Sequence, residues 1–263
     1  MGLLGGFFVL LFFGGILYMV LYFALGVAGI GLHGLLPLRQ GDRALLMQHC
    51  AFYTALPHPQ RKRFERRVKE LMLEKDWIGR GLPITAEIRV RISAAIAQVT
   101  FGFDDLLLLH FRRIAVYPDA YRNPRTGAMH IGEAAPGAGL LIFSWKHFVE
   151  GFNEPHNARN VGLHEVAHAL WFENMIPNAE DDFLDAATLE RWRQLARDEA
   201  DRIQAGEGRL FRNYAATNQA EFFAVAVEYF FEQPGPFNER MPDLYATLRE
   251  LLHQDPLITP TPA

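Results

Sequence analysis

Leu163-His164-Glu165-Val166-Ala167-His168-Ala169-Leu170 is the stretch on which the reading of this chain turns. It holds the pattern H-E-x-x-H, with His164 and His168 four residues apart and Glu165 beside the first. Positions four apart lie on one face of a helix, so both imidazoles reach one ion. Leu163, Val166, Ala167 and Leu170 fall on the opposite, buried face. Asn157 or Asn160 suits the cap, and the helix is expected over about 160–173, closed by Asn174 and Pro177. Two surface histidines on an amphipathic helix would show the same letters. The helical context and a strand candidate just upstream favour the metal reading.

Two imidazoles with a carboxylate between them suit zinc that keeps one open position. Zinc lowers the pKa of a bound water towards about 7, and Glu165 is placed to take its proton as it attacks a peptide carbonyl. Cys50 is the only cysteine, which excludes a cysteine-built zinc site and an intrachain disulfide. A third protein ligand is needed. A third His six residues after the second is ruled out, because position 174 is Asn and position 171 is Trp where that pattern needs Gly. Three candidates remain. Glu173 shares the helix but sits roughly 140° round from His168. Asp181, Asp182 and Asp185 lie in an acidic loop. Glu221 is a carboxylate in the apolar run Asn218-Gln219-Ala220-Glu221-Phe222-Phe223-Ala224-Val225. Asn218 with Glu221 three later also matches a capping box, so spacing leaves cap and ligand equally open. Glu228, seven residues on, shares that face and is suited to orient a metal-bound histidine.

Outward from the motif, the patterns predict helices over Arg43–Tyr53, Gln60–Lys75 and Thr85–Val99, with Leu56-Pro57-His58-Pro59 as a break. Ile114–Tyr117, Ala128–Ile131 and Leu140–Trp145 read as strands, and Asn123–Gly127 as a turn. The apolar strand Leu140–Trp145 is expected to pair with an extended substrate backbone, as sheet edges do. Helices follow over about Ala187–Gln204, with Leu189, Trp192, Leu195 and Ile203 buried, and over Asn218–Glu232, stopped by Pro234-Gly235-Pro236. Residues 259–263 read as a disordered tail.

The 263-residue chain carries all its Lys, Arg, Asp and Glu from Arg39 onward. The apolar run Leu3–Ile30 exceeds the roughly 20 residues a bilayer requires, and it lacks the basic start of a cleaved signal peptide. It predicts one transmembrane anchor over residues 1–38. Arg39, Arg43 and the cluster Arg61, Lys62, Arg63, Arg66 and Arg67 follow it. The positive-inside rule then predicts a single-pass protein of the inner (cytoplasmic) membrane, with residues 39–258 as a catalytic domain on the cytoplasmic side. A formal net charge of −4 argues against nucleic acid as a direct partner.

His164–Leu170, Tyr214-Ala215-Ala216, Ala220-Glu221, Phe223-Ala224-Val225, Glu228-Tyr229-Phe230-Phe231 and Gln254-Asp255-Pro256-Leu257 resemble the Mlc titration factor A family of zinc-dependent peptidases. The likeness runs in order of elements from about Leu45 to Leu257. It implies a gluzincin-type zincin with a catalytic core similar to that of anthrax lethal factor. It implies one Zn2+ on His164, His168 and Glu221, Glu165 as catalytic base, and Tyr214 as a transition-state donor. A phenol hydroxyl suits that role, because it can hydrogen-bond a developing oxyanion; packing beside Phe211 is the plain alternative. The resemblance also implies aminopeptidase action on small substrates and binding to a repressor. The expected fold is α+β, a zincin-like domain with a helical N-terminal lobe behind the transmembrane helix. The expected function is metal-assisted hydrolysis of a peptide or protein substrate. The rival is a regulatory binding protein that sequesters a partner such as a transcriptional repressor.

Overall fold

The structure is a computed structural model that describes residues 12–20, 37–104, 106–123, 127–176 and 183–258. Its contacts divide the chain into two units, Met1–Leu38 and Arg39–Ala263.

In the first unit, the described residues are 12–20, a helical stretch, and 37–38. Among the described residues no helix is long and apolar enough to cross a membrane. The expected transmembrane helix is corrected on that finding. The inner-membrane location, the cytoplasmic side for the domain and the membrane as a partner fall with it. Residues 1–11 and 21–36 of the apolar run, and the tail 259–263, lie outside the described residues.

The second unit opens with helices α1 (Gln40–His49), α2 (Ala51–Ala55) and α3 (His58–Glu74). The helix expected over Arg43–Tyr53 is broken at Cys50, whose extended backbone separates α1 from α2. Pro59 does not delay α3. It sits in the first turn, where its missing N–H costs nothing. Strand β1 (Asp76–Gly79), helix α4 (Ala86–Val99) and strand β2 (Arg113–Tyr117) then form a β-α-β unit, with β1 and β2 parallel. Parallel neighbours need such a crossover. Thr85 caps α4 by accepting from the Ile88 amide at 3.2 Å. Nearly every residue of α4 from Ile88 onward is buried, so it runs through the core.

The short strands β3 (Tyr121–Arg122) and β4 (Met129–His130) make a hairpin, and β5 (Gly132–Ala135) and β6 (Leu140–Ser144) follow. The main sheet has the order β1-β2-β6-β5, with β5 antiparallel to β6 and the rest parallel. Strand β6 therefore lies between β2 and β5. The expectation that Leu140–Trp145 offers a free edge to substrate is corrected: both its edges are paired, and the outer strand is β5. Trp145 leaves the sheet to open helix α5 (Trp145–Asn153).

Helices α6 (Val161–Glu173), α7 (Ala186–Gln204), α8 (Gln219–Glu232), α9 (Pro234–Arg240) and α10 (Pro242–Leu252) complete the unit. Helix α6 packs on α8, α4, α5, β5 and β6. Trp192 of α7 is fully buried against Phe222 and Phe223 of α8. Leu195 is only half-buried; Ala196 and Glu199 take the inner line instead. The buried Glu199 carboxylate is paired with Arg209 at 2.7 Å. Helix α4 is threaded between the paired strands β1 and β2. The arrangement is mixed α/β, in place of a helical lobe preceding a separate sheet.

Candidate metal centre

Helix α6 begins where Asn160 Oδ1 accepts from the Leu163 amide at 3.1 Å. This cap satisfies one of the orphan donors of the first turn. The buried face predicted from the sequence holds: Leu163, Val166, Ala167 and Leu170 are essentially inaccessible. His164 and His168 project from the other face. Helix α8 crosses them, with Asn218 Oδ1 accepting from the Glu221 amide at 2.9 Å. The cap engages the Glu221 backbone and leaves its carboxylate free to turn towards the imidazoles. Cap and ligand geometry therefore coexist at one residue.

Glu221 Oε2 lies 3.2 Å from His164 Nε2 and 3.3 Å from His168 Nε2, and the two Nε2 atoms are 3.1 Å apart. Three donors bonded tetrahedrally at about 2.0–2.1 Å should lie roughly 3.3–3.4 Å from one another. The observed triangle is close to that face, so these three residues can hold one metal ion. The other candidates lie elsewhere. Glu173 is buried and accepts from the His110 amide at 2.9 Å. Asp185 caps α7 through the Thr188 amide at 2.8 Å. Asp181 and Asp182 are outside the described residues.

The charge balance of the trio is informative. Burial pulls the His164 pKa down, but hydrogen bonds to Glu221 and Glu228 outweigh it and hold the imidazolium up to about 10. Burial pushes the Glu221 carboxyl up, and the two histidines more than reverse that. Without an ion the acids thus keep a proton on His164 near neutral pH. Metal uptake must displace that proton and tightens as pH rises.

Glu228 stands behind His164. Its Oε1 lies 2.6 Å from His164 Nδ1 and accepts from Arg212 Nη2 at 2.6 Å, while Oε2 accepts from the Asn160 amide at 2.8 Å. One buried carboxylate thereby orients an imidazole, holds a guanidinium and anchors the start of α6.

Glu165 is buried, and burial raises its carboxyl pKa, partly offset by the charges of His164 and His168. A raised pKa brings a base nearer the pH at which it must take a proton. Strand β5 presses on it. A Cβ at Gly132 would lie 2.6 Å from Glu165 Cγ and Oε1 and 2.7 Å from Val161 Cγ2. Gly132→Ala is expected to push the Glu165 side chain away and lower kcat/KM by about 10–100-fold, as small misplacements of catalytic groups do. Circular dichroism should show the fold retained.

Tyr214 sits in a 3-10 turn, Asn213–Thr217, with its ring 6.1 Å from that of His164. The alternative packing beside Phe211 is not adopted: Phe211 stacks with Phe222, Tyr229 and Phe237. Burial and then the Glu221 carboxylate push the phenol up to about 12, so it stays a protonated donor.

Arg212 and Gly132 escaped the sequence reading. A glycine inside a strand pattern often marks close backbone approach, which was the one available sign for Gly132. Nothing local marks Arg212. Glu232 was likewise hidden. It is buried on α8, accepts from Asn160 Nδ2 at 3.0 Å, and is pushed up to about 7 by burial, with the neighbouring Glu228 charge adding to the rise. Its folded pKa lies above the ordinary 4.5, so the native state binds more protons and loses stability as pH climbs from about 4.5 to about 7. Glu232→Gln removes that penalty. The melting temperature should rise at pH 8 and change little at pH 4.5, as read by thermal melts across that range.

A cleft of about 930 Å³ opens beside this cluster, lined by His164, Glu165, Tyr214, Gly132 and the loop before α6. Residues 35–253 match the family described as glucose-regulated metallo-peptidase M90. An uncharacterized protein of Synechocystis sp. is 26% identical over 238 residues, 84% of this chain and 86% of the relative. Mlc titration factor A from Yersinia pestis is 26% identical over 220 residues, 77% of this chain and 80% of the relative. The same protein from Yersinia pseudotuberculosis matches equally. With residues 35–253 matched, most of its length, the chain belongs to the glucose-regulated metallo-peptidase M90 family.

Proposed function

We propose that this chain is a zinc-dependent peptidase in which His164, His168 and Glu221 hold one Zn2+. The observation that carries the reading is the triangle of donor atoms, 3.1–3.3 Å on each side, drawn from two helices. Two imidazoles and one carboxylate are a donor set that suits zinc in a hydrolase. When bound, the ion supplies a Lewis acid and lowers the pKa of a water to about 7. Glu165 would act as the base that takes a proton from the attacking water and would return it to the leaving amine. Tyr214 donates its hydroxyl to the oxyanion as it forms. Glu228 fixes the His164 ring through Nδ1. Strand β5, the outer strand beside α6, takes an extended substrate backbone by adding one more strand.

The second reading is capture of a regulatory protein. It is favoured by the relatives named Mlc titration factor A, whose name points to a protein, Mlc. In that reading the metal site is structural. Aminopeptidase action is the narrower form of the first reading and follows from the resemblance alone.

The test is direct. The full chain is assayed for bound zinc and for cleavage of a mixed peptide library by mass spectrometry. Cleavage should vanish with a chelator and return with about one equivalent of Zn2+. Stoichiometric zinc without any cleavage would favour partner capture, and no bound metal would end both forms of the metal hypothesis.

A further inference from the structure

Every cation lining the cleft except one is committed to a partner within the protein. Arg212 is tied to Glu228 and to the Ala158 carbonyl. His147 is held through Nδ1 by Ser144 Oγ at 2.7 Å. His130 lies near Glu133. Arg159 differs: the residue lines the cleft and is exposed, and among the described residues its side chain has no hydrogen bond, ion pair or ring contact.

The backbone that presents Arg159 is held firmly. Ala158, buried, adopts φ +52, a left-handed conformation that is unfavourable for a non-glycine residue. Asn157 Oδ1 accepts from the Arg159 amide at 2.8 Å, Glu228 accepts from the Asn160 amide at 2.8 Å, and Arg212 donates to the Ala158 carbonyl. On the far side, a Cβ at Gly151 of α5 would lie 3.0 Å from Asn160 Cα, so α5 packs directly on the turn. Local strain of this kind persists where the surroundings over-determine it, and it gathers at binding sites. The same Glu228 that orients His164 thus also fixes the turn carrying Arg159.

Arg159 precedes the first residue of α6 by two positions, and His164 is five residues further on. From Val161, the first residue of α6, His164 lies three residues on, about 4.5 Å of helical rise, and Arg159 stands just before the extended cap Asn160. The positive end of the α6 dipole points the same way. We propose that Arg159 is a specificity residue that binds an anionic group of the substrate close to the scissile bond. That group is either an acidic side chain or the free C-terminal carboxylate. The proposal rests on the peptidase reading above. Glu150, on the α5 wall of the same cleft, also makes no hydrogen bond or ion pair. A preference for cationic peptides would assign recognition to it instead.

The test reads a ratio. Matched peptides carry Glu, Gln or Lys at each position flanking the cleaved bond, and each is made with a free or an amidated C-terminus. The full zinc-loaded chain is expected to prefer the anionic member by about tenfold in kcat/KM, chiefly through KM. The Glu series and the free-acid series separate the two sources of the charge. Arg159→Gln should bring the anionic-to-neutral ratio close to one, and Arg159→Lys should keep part of it. Because a ratio cancels any general loss of activity, a misfolded fraction does not imitate the result. The same ratio is read from Kd, by calorimetry on the Glu165→Gln chain with and without Arg159→Gln, so it is obtained even if the parent cleaves nothing. Cleavage absent but anionic binding lost with Arg159→Gln would overturn the peptidase reading and keep the anion site. A ratio near one in the parent, a preference for Lys peptides, or a ratio unmoved by Arg159→Gln would overturn the assignment of Arg159.

Discussion

Glu165→Gln is expected to leave the ion bound and to cut peptide hydrolysis by about 10²–10⁴-fold, the usual contribution of a positioned general base. The substitution keeps size and shape, so the close approach of Gly132 is preserved. What disappears is the ability to accept a proton. Glu165 is not among the three donors that surround the ion, so zinc content by mass spectrometry should match the parent. Burial raises the Glu165 pKa, so its charge is costly in the folded state. The variant should therefore be at least as stable as the parent near neutral pH. Low activity, full zinc and undiminished stability form a combination that a merely damaged protein would not show. Cleavage within a few fold of the parent would mean that another group takes the proton.

Glu221→Ala should have the larger effect on metal. It removes one of three protein donors and leaves two imidazoles on one helix, so zinc affinity is expected to fall by at least about 10³-fold. A bound ion stabilises the native state according to its concentration relative to Kd. The parent melting temperature should therefore climb as zinc is added, while that of Glu221→Ala stays flat over the same range. The backbone cap from Asn218 survives the change, since it uses the Glu221 amide; helix α8 should form as before. Glu173→Ala is the control. It removes the carboxylate held by the His110 amide and should lower stability while leaving zinc affinity intact. Equal zinc binding by Glu221→Ala and the parent would remove Glu221 from the ligand set.

The metal-site residues were legible unequally. The pair His164 and His168 is local, because a helix brings residues four apart together whatever surrounds it. Glu221 is 57 residues from His164 in sequence, and spacing could not separate ligand from cap. The structure shows why the choice was ill-posed: the amide of Glu221 is capped and its carboxylate faces the imidazoles. Several helices were readable from their apolar period, including α4, α6 and α8. Strands β1 and β5 were not. Asp-Trp-Ile-Gly is only four residues long with strand-poor Asp and Gly at its ends, and Gly-Glu-Ala-Ala holds only residues depleted in strands. They are strands because β2 and β6 pair with them.

The apolar start shows the opposite error. Composition alone suggested a membrane span, yet among the described residues no helix is long and apolar enough to be one. By itself the sequence determined the short-range chemistry: the paired imidazoles, the adjacent base, the capping asparagines and the absence of any cysteine ligand. Tertiary structure alone decided which carboxylate closes the triangle, which strand lies beside Glu165, and that Arg159 faces the cleft unpaired. The reason is physical. Helical geometry places neighbours within one turn, whereas contacts between α6, α8 and β5 exist only once the core has packed them together.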